Sequence, residues 1–124
     1  MASMFFDAKK FDQYIGDWDV SSVTDMGYMF YAAKNFNQPI GGWDVSGVTD
    51  MGCMFSEAYN FNQPIGGWDV SNVTNMEYMF TNAQSFDQDI SGWNISSKID
   101  INKMFGSCPI QKKHMPKKSR KKNI

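Results

Sequence analysis

Trp18, Trp43, Trp68 and Trp93 stand 25 residues apart. A period of that length restricts the chain more than any other feature, because it means that one supersecondary unit is copied and stacked, each copy covering an apolar face that its neighbour cannot bury alone. Nearly every large apolar residue keeps the step. Phe30, Phe55, Phe80 and Phe105 form one register, Phe11, Phe36, Phe61 and Phe86 a second, Met29, Met54, Met79 and Met104 a third, and Ile15, Ile40, Ile65 and Ile90 a fourth. Residues 18–42 and 43–67 agree at 20 of 25 positions, and 43–67 and 68–92 at 14 of 25. The positions that vary therefore mark the outward surface, and function is to be sought there, since the sequence announces no pocket.

The 42% hydrophobic content is gathered in these registers, so it is committed to one continuous core. The length of 124 residues fits one domain, and in a stacked array stability is roughly a sum of coil and interface terms. No apolar run of 18 residues exists to span a membrane. The net charge of −1 conceals an asymmetry: residues 1–110 carry five Lys against thirteen Asp or Glu, whereas residues 111–124 carry six Lys, one Arg and no acid. The body is acidic and the tail basic. Before Asp7 the chain offers only Met4, Phe5 and Phe6 as an apolar stretch, too short for the core of a signal peptide, so no export signal is expected. Two cysteines in unrelated registers do not suggest a disulfide framework. Cys108 shares the small core register of Ala33, Ala58 and Ala83 and reads as a buried thiol; Cys53 falls where Tyr28 and Tyr78 fall and reads as a partly exposed one.

Within one unit, Met51, Met54, Phe55 and Ala58 lie at i, i+3, i+4 and i+7, the stripe of an amphipathic helix. Thr49 stands where an N-cap would, and Thr74 with Glu77 reads as a capping box. The following Pro64-Ile65-Gly66-Gly67 breaks that period, and Trp68-Asp69-Val70 alternates as a short strand does. The expected fold class is α/β: a right-handed, leucine-rich-repeat-like solenoid of about four coils, each with one short helix and one short parallel strand. Parallel crossovers are right-handed in about 98% of cases. Residues 1–110 form the repeat array, with a capping coil at about 94–110, and residues 111–124 read as a basic disordered tail.

The unit Trp-Asp-Val-Ser-x-Val-Thr-Asp-Met-x-x-Met-Phe-x-x-Ala-x-x-Phe-Asn-Gln-x-Ile, at Trp43 to Ile65, resembles the roughly 25-residue repeat of BspA-like, leucine-rich-repeat-related surface proteins of bacteria and large viruses, a type abundant in Mycoplasma lipoproteins. The resemblance implies an α/β solenoid used for adhesion or protein binding, at a cell surface or secreted, with no known catalysis or cofactor. The chain departs from the pattern in its last coil, where Lys98 and Ile99 replace Val and Thr, and in the expected lack of an export signal.

Four groups of polar residues remain. Asp19, Asp44 and Asp69, followed in register by Asn94, form a row of carboxylates. At about 4.8 Å spacing, neighbours repel by roughly 0.9 kcal/mol in water. Such a row either caps turns, as Asp does two residues before a backbone donor, or holds calcium. Gln13, Gln38, Gln63 and Gln88 with Asp12, Asn37, Asn62 and Asp87 form a second row that reads as an internal ladder. Tyr28, Cys53, Tyr78 and Lys103 share an outward register beside Tyr31, Ser56, Thr81 and Gly106, and tyrosine is enriched at interfaces, so Tyr28, Tyr31, Cys53 and Tyr78 are candidate contacts for a protein or glycan. Lys112, Lys113, Lys117, Lys118, Arg120, Lys121 and Lys122 are candidate polyanion contacts, although the tail lacks aromatics for stacking on bases. The expected function is non-enzymatic. The one histidine, His114, lies in the tail, away from a frame that could hold a general base within reach of a proton, and carboxylates that recur in every coil argue for structure. The alternative is a nucleic-acid or polyanion-associated protein acting through the tail. Met4, Phe5, Phe11 and the edge strand at Trp18 are expected to lack a covering coil, so the chain is expected either to be a fragment of a longer array or to form a two-fold homodimer through its first coil.

Overall fold

The computed structural model describes residues 1–117. The chain winds as a stack of 25-residue coils, numbered here 1–25, 26–50, 51–75, 76–100 and a final partial coil from 101. The expected helix-and-strand solenoid does not form. Among the described residues the helical elements are two single turns of 3₁₀ helix, Ile101–Lys103 and Lys112–His114, neither long enough to cross a membrane. Among the described residues, parallel pairing takes the form of isolated bridges, such as Asp25 with Asp50 and Asp50 with Asn75. The right-handed crossover argument loses its footing, since the described residues hold no strands for a helix to connect.

What replaces the helix is a pair of consecutive four-residue turns. In Met26-Gly27-Tyr28-Met29 the amide of Met29 donates to the Met26 carbonyl at 3.2 Å, and in Phe30-Tyr31-Ala32-Ala33 that of Ala33 donates to Phe30 at 3.0 Å. The third residue of each turn, Tyr28 and Ala32, has φ of 60° and 58°, the left-handed position that a type II turn requires. Cys53, Glu57, Tyr78 and Asn82 repeat the pattern with φ between 57° and 62°. A left-handed residue every fourth position stops a helix from propagating. The apolar stripe was read correctly as inward but assigned to the wrong element: Met51, Met54, Phe55 and Ala58 are the outer corners of two tandem turns, and all four are fully buried.

The turns also divide the backbone donors. Met29, Tyr31 and Ala33 bond within their coil, while Met26, Tyr28, Phe30 and Ala32 donate to the neighbouring layer of the stack, to Asp50 at the end of the same coil and to Gly52, Met54 and Ser56 of the next, at 2.9 Å. Buried N–H groups must find partners somewhere, and here alternate ones find them one coil further on. The expected N-caps are displaced as well. Asp25 and Asp50 accept from the amides of Gly27 and Gly52 at 2.8 Å, whereas the Thr49 hydroxyl donates across the stack to the Thr24 carbonyl at 3.2 Å. Glu77 forms no box with Thr74; its amide donates to Asn75 Oδ1 at 2.9 Å.

The core is a set of aromatic columns. Phe5, Phe30, Phe55, Phe80 and Phe105 stack at 5.5–5.6 Å between centroids, and each interior member also lies 4.3 Å from the second column at Phe36, Phe61 or Phe86. The indoles of Trp43, Trp68 and Trp93 stack at 6.4–6.5 Å and donate to the carbonyls of Ile15, Ile40 and Ile65 at 3.0–3.1 Å. Offset aromatic pairs contribute about 0.5–1.5 kcal/mol each beyond area burial, so the columns stiffen the stack along its axis. The glycine after Ile15, Ile40 and Ile65 stands in the expected bend, a four-residue turn closed by the next tryptophan amide at 3.1 Å, and it also serves close approach: a Cβ on Gly16 or Gly41 would come within 2.5 Å of the Pro39 or Pro64 carbonyl oxygen, and one on Gly66 would strike that of Asp89.

Residues 111–117 do not begin a disordered tail. Gln111 bonds to Asp87 through its amide at 2.9 Å and its side chain at 2.7 Å. Ile90 donates to the His114 carbonyl at 3.0 Å, Met115 packs on the core, and Pro116 is buried. These residues close the stack.

Candidate functional site

Each polar row has a defined structural geometry. Asp19, Asp44 and Asp69 each accept from the serine two residues on, through its amide at 3.0–3.1 Å and its hydroxyl at 2.6 Å. The serine hydroxyl, then the serine amide, hold these carboxyls below their ordinary range. Asp89 repeats the turn with Ser91 in a register occupied elsewhere by Tyr or Pro, a case the sequence reading missed although Asp-x-Ser signals it. Among the described residues no group of three or more His, Cys, Asp or Glu is arranged to hold a metal ion.

The second row is a ladder between coils. Asp12 Oδ1 accepts from the Asn37 amide at 2.9 Å, Asn37 Oδ1 from the Asn62 amide at 2.9 Å, and Asn62 Oδ1 from the Asp87 amide at 3.0 Å. The amides of Gln38, Gln63 and Gln88 bridge the same steps at 3.0–3.1 Å. The ladder ends at Asp87, which also meets His114 Nδ1 at 2.9 Å. Its carboxyl is drawn down to about 2 by the Gln111 side chain and amide and then by His114. The histidine left in the tail by the sequence reading thus belongs to the closing coil.

The turn pair builds a face whose side chains vary from coil to coil. The central residues of each turn point away from the corners, which brings Tyr28, Cys53 and Tyr78 into one row, with Tyr31, Ser56 and Thr81 beside them. Tyr28 and Tyr78 are 45% and 46% exposed, and Cys53 between them is a half-buried free thiol. Phe6 extends the aromatic surface, its ring 5.0 Å from Tyr31 and 6.1 Å from Tyr28. Two adjoining concavities flank the row. One, of about 320 Å³, is lined by Asp25, Tyr28, Asp50, Cys53, Glu77 and Tyr78 among others. The other, of about 360 Å³, is lined by Tyr31, Glu57 and Thr81 with the same three central residues. Neither lining contains a Lys or Arg. The Tyr28 hydroxyl is held above its ordinary range chiefly by the Cys53 thiol, and Tyr31 chiefly by the Glu57 charge. Thr81 Oγ1 is buried without a hydrogen-bond partner. All four candidate contacts, Tyr28, Tyr31, Cys53 and Tyr78, therefore share one face. The sequence reading missed the acids beside them, Asp25, Asp50, Glu57 and Glu77; of these only Asp25 and Asp50, each three residues before Tyr28 or Cys53, repeat in register.

Cys108 is half-buried, not fully buried, and its thiol, raised by burial, donates to the Phe86 carbonyl at 3.6 Å. Of the basic candidates, Lys112, Lys113 and Lys117 are exposed on the closing segment; Lys118, Arg120, Lys121 and Lys122 lie outside the described residues.

No curated protein and no solved structure matches the chain. A family model does, over residues 1–118, described as "Mycoplasma protein of unknown function, DUF285". With nearly the whole chain covered, the protein belongs to this Mycoplasma repeat family.

Proposed function

We propose that the chain is a non-enzymatic interaction module of the adhesion type, displayed at a cell surface, which meets a protein or glycan partner through the turn face around Tyr28, Cys53 and Tyr78. The observation that carries this reading is the contrast between core registers that repeat and an outward register on that face that varies and carries exposed tyrosines. Large exposed aromatics in a single row supply contact area at low entropy cost, as binding surfaces do. The Asp-x-Ser carboxylates are engaged in turns, and Asp87 and His114 with each other.

The test is binding of the immobilised chain to a panel of cell-surface and matrix proteins and glycans, repeated with Tyr28→Asn/Tyr78→Asn and with Asp44→Asn/Asp69→Asn. Binding lost only in the tyrosine variant supports the reading; equal loss in both, or no binding at all, removes it. A second reading, self-association through the first coil, draws on the exposure there of Met4 at 52%, Phe6 at 49% and Trp18 at 38%. Sedimentation at micromolar concentration tests it: a dimer converted to monomer by Phe6→Asp supports it, and a concentration-independent monomer refutes it.

A further inference from the structure

We propose that the groove over Cys53 takes a lysine- or arginine-bearing segment of a protein partner, the cation seated between Tyr28 and Tyr78 and facing the carboxylates of Asp50, Glu57 and Glu77. This rests on the turn face being the binding surface and names the chemistry it selects.

Four observations converge. The lining of both concavities carries Asp25, Asp50, Glu57 and Glu77 and no base, so a cation is favoured over a neutral or acidic group before any contact forms. Asp25 and Asp50 commit Oδ1 to backbone amides, with the Asn75 side chain adding a second donor at 3.1 Å to Asp50 Oδ1. Their Oδ2 atoms accept no hydrogen bond among the described residues. The spacing fits: Cys53 is one coil step from each tyrosine, and a step measures 5.5 Å in the phenylalanine column behind them, inside the roughly 6 Å reach of a cation over an aromatic ring. Finally, the fold already seats ammonium groups in this way, with Lys34 Nζ 5.1 Å from the Tyr59 centroid and Lys103 Nζ 3.5 Å from Glu77. Where Tyr78 gives way to Lys103, a cation of the chain itself occupies the acidic edge.

A glycan would also stack on tyrosine, but four carboxylates, of which only Glu77 meets a lysine among the described residues, do not favour a neutral sugar over a cation. The experiment uses the full chain and three probes in calorimetry: a blocked decapeptide alternating glycine with lysine and arginine, the same peptide with norleucine and citrulline, and a neutral tetrasaccharide. The cationic peptide is expected to bind, to weaken with added salt, and to lose at least tenfold in affinity to Tyr28→Asn/Tyr78→Asn. Asparagine tolerates the left-handed backbone at both sites and leaves the net charge unchanged, so general attraction to an acidic body would not move with it. The uncharged peptide is expected not to bind. Equal binding of the charged and uncharged peptides, equal binding by wild type and variant, or binding of the sugar alone overturns the proposal. If the protein and glycan panel still reports binding lost in the tyrosine variant while the cationic peptide fails, only the chemistry assigned here is wrong and the turn face stands.

Discussion

Replacing Glu57 with glycine should stabilise the protein, and the sign of that change separates tandem turns from the helix that the apolar spacing suggests. Glu57 sits at φ 60° as the third residue of the turn Phe55–Ala58. An L-residue in the left-handed region costs about 1–2 kcal/mol; glycine carries no such penalty, but its freer unfolded chain costs back about 0.5–1 kcal/mol. The side chain itself contributes little, since its one hydrogen bond, from the Tyr31 hydroxyl, is 3.4 Å long, well beyond the usual range for O–H···O. The net expectation is a gain of about 0.5–1 kcal/mol from these terms. In a helix interior the same substitution would lose about 1 kcal/mol relative to alanine. The assay is urea unfolding with an unchanged m value, which isolates stability from compactness. Glu57→Gln, which keeps the Cβ and removes the charge, should fall within about 0.5 kcal/mol of wild type, and Glu57→Val should be the least stable of the three, because a β-branched residue tolerates this backbone worst. A glycine variant that unfolds earlier than wild type beside a valine variant that does not would refute the turn assignment.

Three further outcomes test the packing and the closing segment. Phe55→Ala should cost about 3–5 kcal/mol, because Phe55 is fully buried against Phe30, Phe61, Trp68 and Phe80; Phe5→Ala, on a half-buried ring, should cost less than half as much by the same unfolding assay. Trp68→Phe should cost about 1–2 kcal/mol by losing the bond to Ile40, and Trp18→Phe, on a 38% exposed indole, close to nothing; equal costs would contradict the buried indole bond. Asp87 has its folded carboxyl pulled from 3.8 to about 2, so its contribution is complete above its unfolded value and is lost as pH falls through that interval. Asp87→Asn should therefore flatten the acid limb of the stability curve below pH 4, read by thermal melts from pH 2 to 6, and an unchanged limb would show that the Gln111 and His114 contacts do not form in solution.

The sequence carried the period, the inward registers and the polar ladder, because each is a property of residues 25 apart, and stacking makes such residues neighbours whatever the local backbone does. It did not carry the backbone itself. Residues i, i+3, i+4 and i+7 face one way on a helix, and the corners of two consecutive four-residue turns have the same spacing. Met51, Met54, Phe55 and Ala58 fit both. The usual arbiter, glycine at the left-handed position, was misleading: none of the described glycines has a positive φ, while nine other residues do. The length of the stripe was the better clue, since eight residues are too few for a helix to hold without strong packing. Tyr28, Tyr31, Cys53 and Tyr78 were legible as an outward set because they vary within a constant frame, but the carboxylates around them lie in registers that look structural when read one coil at a time.

The use of those left-handed positions bears on what the protein does. A repeat selected only for stability would fill the third residue of each turn with glycine or asparagine, as Asn82 does, and this chain has glycine to spare, ten in all. It uses Gly16, Gly41 and Gly66 for close coil contact and leaves Tyr28, Cys53 and Tyr78 in strained backbone on an exposed face. Each costs on the order of 1 kcal/mol or more that a glycine would save. Left-handed geometry in turn holds these side chains outward at a fixed pitch, on turns capped by Asp25, Asp50 and Asn75. Strain kept at the same register, on the face where side chains change and acids collect, favours a role in binding over a role in folding.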